Sequence, residues 1–171
     1  NVPNSVLFLY AENETVKINL VKEAFSRGVD AKRLIFGERL SQGDYLARYK
    51  LADLFLDTFP YNAGTTASDA LWMDVPVLTR QGESFASRVA SSILRSINLP
   101  ELIVKTDKEY ELLASELGSN PEKIEALKQK LRANKPTAPL FDTPKFTRNL
   151  EHLYEIALKK LNKERGLVLF V

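Results

Sequence analysis

Along this chain, short apolar runs alternate with stretches whose apolar residues recur every three to four positions. The runs Val6–Tyr10, Leu34–Phe36, Leu54–Leu56, Val77–Leu78 and Leu102–Val104 read as strands. Between them lie helical patterns near Val16–Arg27, Asp44–Lys50, Thr66–Met73 and Phe85–Ser96. Strands separated by helices at this spacing predict βαβ units and a parallel sheet. The runs are apolar almost throughout, the pattern of strands covered on both faces. After Val104 the pattern is wholly helical. Thr106 and Glu109 stand at capping-box spacing and Gly118 is the expected stop. Asn120-Pro121 opens the next helix, and Lys135 to Asp142 is read as a loop. Thr143-Pro144 opens the last helix, with Phe146, Leu150, Leu153, Tyr154, Ala157, Leu158 and Leu161 on one stripe. The expected fold class is α/β: a Rossmann-like parallel sheet with helices on both faces. Residues 1–142 form its body. Residues 143–171, an amphipathic helix and an apolar tail from Gly166 to Val171, are expected to pack on that body or on another part of a longer protein.

Composition narrows the chemistry more than it reveals it. The 171 residues suit one domain with a core of its own. With 24 Lys+Arg against 22 Asp+Glu, the net charge is +2, so electrostatics give no reason to expect nucleic acid or a membrane surface as partner. There is no cysteine and the single histidine is His152, which rules out a thiolate or His-rich metal site within this chain. His152 sits beside Leu153 on the last helix and reads as a surface or boundary residue. No segment reaches the roughly 20 apolar residues of a membrane-spanning helix. Asn1-Val2-Pro3-Asn4 has neither basic nor apolar signal character and is not read as a signal peptide; with no initiator Met, the chain reads as part of something longer.

Ligands of open parallel α/β sheets bind beyond the carboxyl ends of the strands. The most informative such place is Asp57 to Thr66, where a loop runs into Gly64-Thr65-Thr66 and a helix bearing Asp69. A helix start offers free N–H groups and the positive dipole end, Gly64 allows close approach, and two hydroxyls add donors: a diphosphate cradle. Asp69, four residues after Thr65, could accept from a ribose diol. The residues equally allow a plainer reading in which the threonines cap the helix and Asp69 complements its dipole. At the second turn, Gly82-Glu83-Ser84, the small residues Ala86, Ser87, Ala90, Ser91 and Ser92 are read as close packing, and Arg88 as solvated or ion-paired. Gly-x-Gly-x-x-Gly, the P-loop and the metal-chelating Asp-x-Asp are all absent from this sequence.

The segments Leu51-Ala52-Asp53-Leu54-Phe55-Leu56-Asp57-Thr58-Phe59-Pro60-Tyr61-Asn62-Ala63-Gly64-Thr65-Thr66-Ala67-Ser68-Asp69-Ala70-Leu71-Trp72 and Val75 to Ala90 closely resemble the catalytic region of the O-GlcNAc transferase / SPINDLY family. The similarity extends from Pro3 to about Leu161. The resemblance implies the C-terminal half of a GT-B glycosyltransferase. It implies inverting transfer of a sugar from a nucleotide diphosphate to Ser or Thr hydroxyls of proteins, without a metal or other cofactor, and a cytoplasmic location. Thr65 and Thr66 match the family's diphosphate-binding threonines and Asp69 its ribose-binding aspartate. Leu40 falls where the backbone contacts the base, and Gln42 where some members carry a nucleotide-side Lys. Tyr45 replaces a base-stacking His. Gly64 replaces the His of O-GlcNAc transferases and matches the SPINDLY branch. The family's Lys that supports the leaving diphosphate falls upstream of Asn1, so the catalytic residue is not assigned here and the chain alone is expected to fold without catalysing. UDP-GlcNAc is the expected donor, with GDP-fucose as rival. A non-catalytic sugar-nucleotide-binding or interaction module is the alternative of a different class.

Overall fold

The structure, a computed structural model, describes residues 2–165, with side chains through Leu161. The apolar tail from Gly166 to Val171 lies outside the described residues. All five strands are present: β1 (Leu7–Tyr10), β2 (Leu34–Gly37), β3 (Phe55–Leu56), β4 (Val77–Arg80) and β5 (Ile103–Val104). Helices α1 (Glu14–Ser26), α2 (Gln42–Arg48), α3 (Thr65–Trp72) and α4 (Val89–Ser96) connect them in turn. Then follow α5 (Asp107–Gly118), α6 (Pro121–Asn134) and α7 (Thr143–Arg165).

Local signals explain where these elements begin. Asn13 caps α1 by accepting from the Val16 amide at 3.0 Å. Thr106 and Glu109 form the reciprocal capping box on α5, and Asn120 caps α6 ahead of Pro121. Helices α3 and α4 end on Asp74 and Asn98, whose φ values of 65° and 58° supply the left-handed residue that turns the chain off a helix. Gly118 does not stop α5: it is the last helical residue, and Ser119 is the C-cap. Within the expected 135–142 loop, Pro139–Phe141 forms a 3-10 turn.

One expectation changes. The strands form two parallel sheets, β1-β2 and β3-β4-β5, in place of one. Leu7 lies opposite Leu34 and Tyr10 opposite Gly37, whereas Phe55 pairs with Val77 and Thr79 with Ile103. Strand β4 is buried as the sequence implies, but Leu7, Phe8 and Tyr10 of β1 are exposed. Among the described residues β1 hydrogen-bonds only to β2. Helix α2 bridges the two sheets through side chains. The Arg48 guanidinium lies 4.9 Å from the Phe8 ring centre, and Tyr45, Tyr49 and Phe55 continue the chain of contacts.

The core lies around β4. Leu71 of α3, Leu94 of α4, Leu131 of α6, and Ile97, Leu99 and Leu102 are all fully buried with Val77. Burial of each such side chain stabilises by about 1.5–3 kcal/mol. This packing fixes α3 against the sheet and so fixes where its first turn opens. Helix α7 differs: Phe146, Leu153, Tyr154, Ile156 and Leu158 are exposed along it.

Candidate functional site

The site is built at the carboxyl end of β3. Asp57, the residue directly after the strand, is 7% exposed. Its Oδ1 accepts from the amides of Thr58 at 2.8 Å and Ala63 at 2.7 Å, and its Oδ2 accepts from Thr79 Oγ1 at 2.6 Å. Burial pushes the Asp57 carboxyl above the usual carboxylate range against these three hydrogen bonds, which pull it down. Its carbonyl accepts from the Tyr110 hydroxyl at 2.9 Å, tying the strand end to α5.

The loop between Asp57 and Gly64 is closed by its own polar groups. Thr58 Oγ1 donates to the Tyr61 carbonyl at 2.6 Å. Asn62, 2% exposed, donates from Nδ2 to the Thr58 carbonyl at 2.9 Å, and its amide donates to the Ala86 carbonyl at 3.0 Å. The last bond joins this loop to the one after β4. There Ser84 and Ser87 hydroxyls lie 2.9 Å apart, and the Gly82 amide donates to the Ser87 carbonyl at 2.8 Å. Arg80 closes the group, stacked 3.9 Å over the Phe59 ring centre and paired with Asp107 at 2.5 Å.

Helix α3 then starts at Thr65 with Gly64 as N-cap and no side chain capping it. Thr65 and Thr66, the first two residues of the helix, are exposed. The plainer reading of this motif therefore fails in both halves. The cap position is a glycine with no side chain to offer, and Asp69 lies beyond the first turn, which holds no acidic residue. Asp69 is half-buried.

Tyr45 is brought to α3 by a residue the sequence did not single out. The Tyr45 and Tyr49 hydroxyls lie 2.7 Å apart, and the Tyr49 hydroxyl donates to the Thr66 carbonyl at 3.3 Å. Burial, the hydrogen bond with Tyr45 and the nearby Asp69 charge push the Tyr49 phenol well above its ordinary range, so it stays a donor. Tyr45, Tyr49, Thr66 and Asp69 thus form one neighbourhood. Exposed Leu40 and Gln42 belong to the connection leading into it: Leu40 on the loop after β2, Gln42 as the first residue of α2. The signal for Tyr49 was its spacing, one helical turn after Tyr45. The signal for Asp57 was a carboxylate ending an apolar strand.

The other residues that the sequence singled out are placed as follows. Ser87, Ala90 and Ser91 are buried as close packing, whereas Ala86 is half-buried and Ser92 is exposed, so the close-packing reading does not hold for Ser92. Arg88 is exposed, its Nε 3.3 Å from the Ser84 carbonyl. His152 is exposed, 4.0 Å from Glu155. Among the described residues no group of three His, Cys, Asp or Glu could hold a metal ion. No helix among them is long and apolar enough to cross a membrane.

Fold and loop geometry together define a parallel α/β domain with an uncapped helix start open at the carboxyl edge of its sheet. The sequence matches glycosyl transferase family 41 over residues 1–150, and the chain belongs to that family. It is 38% identical over 154 residues to the probable UDP-N-acetylglucosamine–peptide N-acetylglucosaminyltransferase SEC of Arabidopsis thaliana, covering 90% of this chain and 16% of that protein. It is 40% identical over 111 residues to the probable SPINDLY enzyme of Hordeum vulgare, covering 65% of this chain and 12% of that one. A solved structure of Thermobaculum terrenum O-GlcNAc transferase, mutant K341M, superposes with a TM-score of 0.84 at 35% identity, over 89% of this chain and 30% of that one. The chain therefore corresponds to part of a glycosyltransferase catalytic region with the GT-B architecture, and it spans well under a third of these curated relatives.

Proposed function

We infer that this chain is the donor-binding part of an inverting, cytoplasmic glycosyltransferase that moves GlcNAc from UDP-GlcNAc to Ser or Thr hydroxyls of proteins. The single observation that carries the reading is the start of α3, with a side-chain-free cap at Gly64 followed by exposed Thr65 and Thr66. A diphosphate there meets free backbone N–H groups and the positive helix end. Asp69 then receives the ribose hydroxyls, and Tyr45 offers a ring for the base. Leu40 and Gln42 line the base side.

The chemistry explains why these groups are useful. As the sugar–oxygen bond breaks, negative charge grows on the departing diphosphate, and donors already aimed at it lower the barrier. Holding the acceptor in line contributes further, roughly 7–11 kcal/mol in well-oriented cases. In this reading the acceptor side and the cationic Lys of the family come from an N-terminal half, and the exposed stripe of α7 packs against that half. Gly64, in place of the His of O-GlcNAc transferases, favours GDP-fucose as the second donor to test.

The test is calorimetric titration of the full-length protein with UDP, GDP, UDP-GlcNAc and GDP-fucose. Replacing Thr65 and Thr66 together by Ala removes two hydroxyl bonds to a charged group, each worth about 1.5–3 kcal/mol. Tight uridine-nucleotide binding that the double variant abolishes is the expected result. Affinity for the preferred nucleotide diphosphate unchanged by the double variant overturns the site.

A further inference from the structure

We propose that Asp57 is a positioning residue of the donor site. It touches no donor, but its carboxylate closes the Thr58–Ala63 loop and thereby sets where the first turn of α3 opens. The proposal rests on the donor reading for its functional consequence and on this chain's own geometry for its structural one.

Asp57 is the point where three directions meet. Oδ1 gathers the first and last amides of the loop, Thr58 and Ala63, at 2.8 and 2.7 Å. Oδ2 is anchored by Thr79, a fully buried residue of the central strand, at 2.6 Å. Ala63 immediately precedes Gly64, the N-cap of α3, so the carboxylate sits one peptide away from the proposed phosphate cradle. Without it, the Ala63 amide at the mouth of the site loses its acceptor, and the loop keeps the Thr58–Tyr61 bond, the bonds of Asn62 and the stacking of Arg80 on Phe59.

The raised carboxyl pKa has a second consequence. A buried negative charge costs desolvation and lies close to where an anion is to bind. What the loop requires is the acceptor geometry, and a formal charge is not needed for it. The side-chain amide introduced by Asp57→Asn keeps an Oδ1 for the Thr58 and Ala63 amides, and its Nδ2 can donate to Thr79 Oγ1. Asp57→Ala keeps none of this.

The experiment compares UDP affinity and loop-amide hydrogen exchange in the full-length protein, as wild type, Asp57→Ala, Asp57→Asn, Thr79→Val and the Thr65/Thr66 double Ala variant. Expected results are UDP binding weakened on the order of tenfold or more in Asp57→Ala, which corresponds to one lost loop anchor. Asp57→Asn is expected within about threefold of wild type, and Thr79→Val between the two. Rescue by Asn is the readout that generic destabilisation does not produce. Wild-type affinity in Asp57→Ala overturns the proposal, as does an Asp57→Asn variant as weak as the Asp57→Ala one. If Asp57→Ala does not fold, Thr79→Val decides, and wild-type affinity there overturns it. If the threonine variant binds UDP normally, the donor reading falls. The loop role is then judged by exchange at the Ala63 amide, expected to quicken in Asp57→Ala or Thr79→Val, and unchanged exchange overturns it.

Discussion

Gly82 gives a sharp test of how the two loops at the sheet edge are fitted together. A Cβ placed on Gly82 would stand 2.5 Å from Ser87 Oγ, 2.8 Å from Ser87 Cβ and 3.0 Å from Phe59 Cε2. Ser87 cannot swing clear easily. It is 2% exposed, and its hydroxyl bonds the Ser84 carbonyl at 3.2 Å. Phe59, though exposed, is stacked against the Arg80 guanidinium. Gly82→Ala therefore forces overpacking, which typically costs about 1–3 kcal/mol. For a domain of this size each kcal/mol lowers the melting temperature by about 2–4 °C, so a fall of about 2–12 °C is expected. Gly43→Ala is the internal control: in the first turn of α2, its added Cβ meets nothing within 4 Å. Better helix propensity there gains up to about 1 kcal/mol, and the melting temperature should hold or rise. Thermal melting of the purified 171-residue chain followed by circular dichroism, with urea unfolding as a second measure, reads both. A Gly82→Ala variant melting within about 1 °C of wild type would refute the steric argument. Because Ala86 of this loop accepts from Asn62, the same variant is also expected to weaken nucleotide binding.

Two further outcomes are expected. The Lys105 and Thr106 amides hold the Glu109 carboxyl below the usual range, so its folded value lies under its unfolded one. Its contribution is then present above the unfolded value and lost as pH falls through the folded one. The stability gap between wild type and Glu109→Gln should shrink from about pH 7 to about pH 3 in urea titrations, and a constant gap would contradict the capping box. Activity of the full-length enzyme should survive EDTA, since diphosphate charge in this reading is met by amides, hydroxyls and a cationic side chain. Complete loss restored by magnesium or manganese would defeat that expectation.

Much of this molecule is legible in the chain itself because the relevant physics is local. Five apolar runs became five strands, and Thr106 with Glu109, and Asn120 with Pro121, started helices where their spacing said they would. The long Leu51-to-Trp72 motif, with Val75 to Ala90, carried the family. Gly64-Thr65-Thr66 marked the helix start, but sequence left open whether those threonines cap it. Tertiary structure decided that: the cap is Gly64, and neither threonine caps the helix. It also decided that β1-β2 and β3-β4-β5 are separate sheets, because strand pairing depends on which edges meet in space and not on the apolar pattern of either strand. The roles of Asp57, Tyr49 and Thr79 were hidden for the same reason. Thr79 is 22 residues from the carboxylate it anchors, and Tyr49 is 17 from the carbonyl it bonds. A hydrogen bond of that range has no sequence period. It exists only once packing around β4 has set the strand ends, the loops and the first turn of α3 side by side.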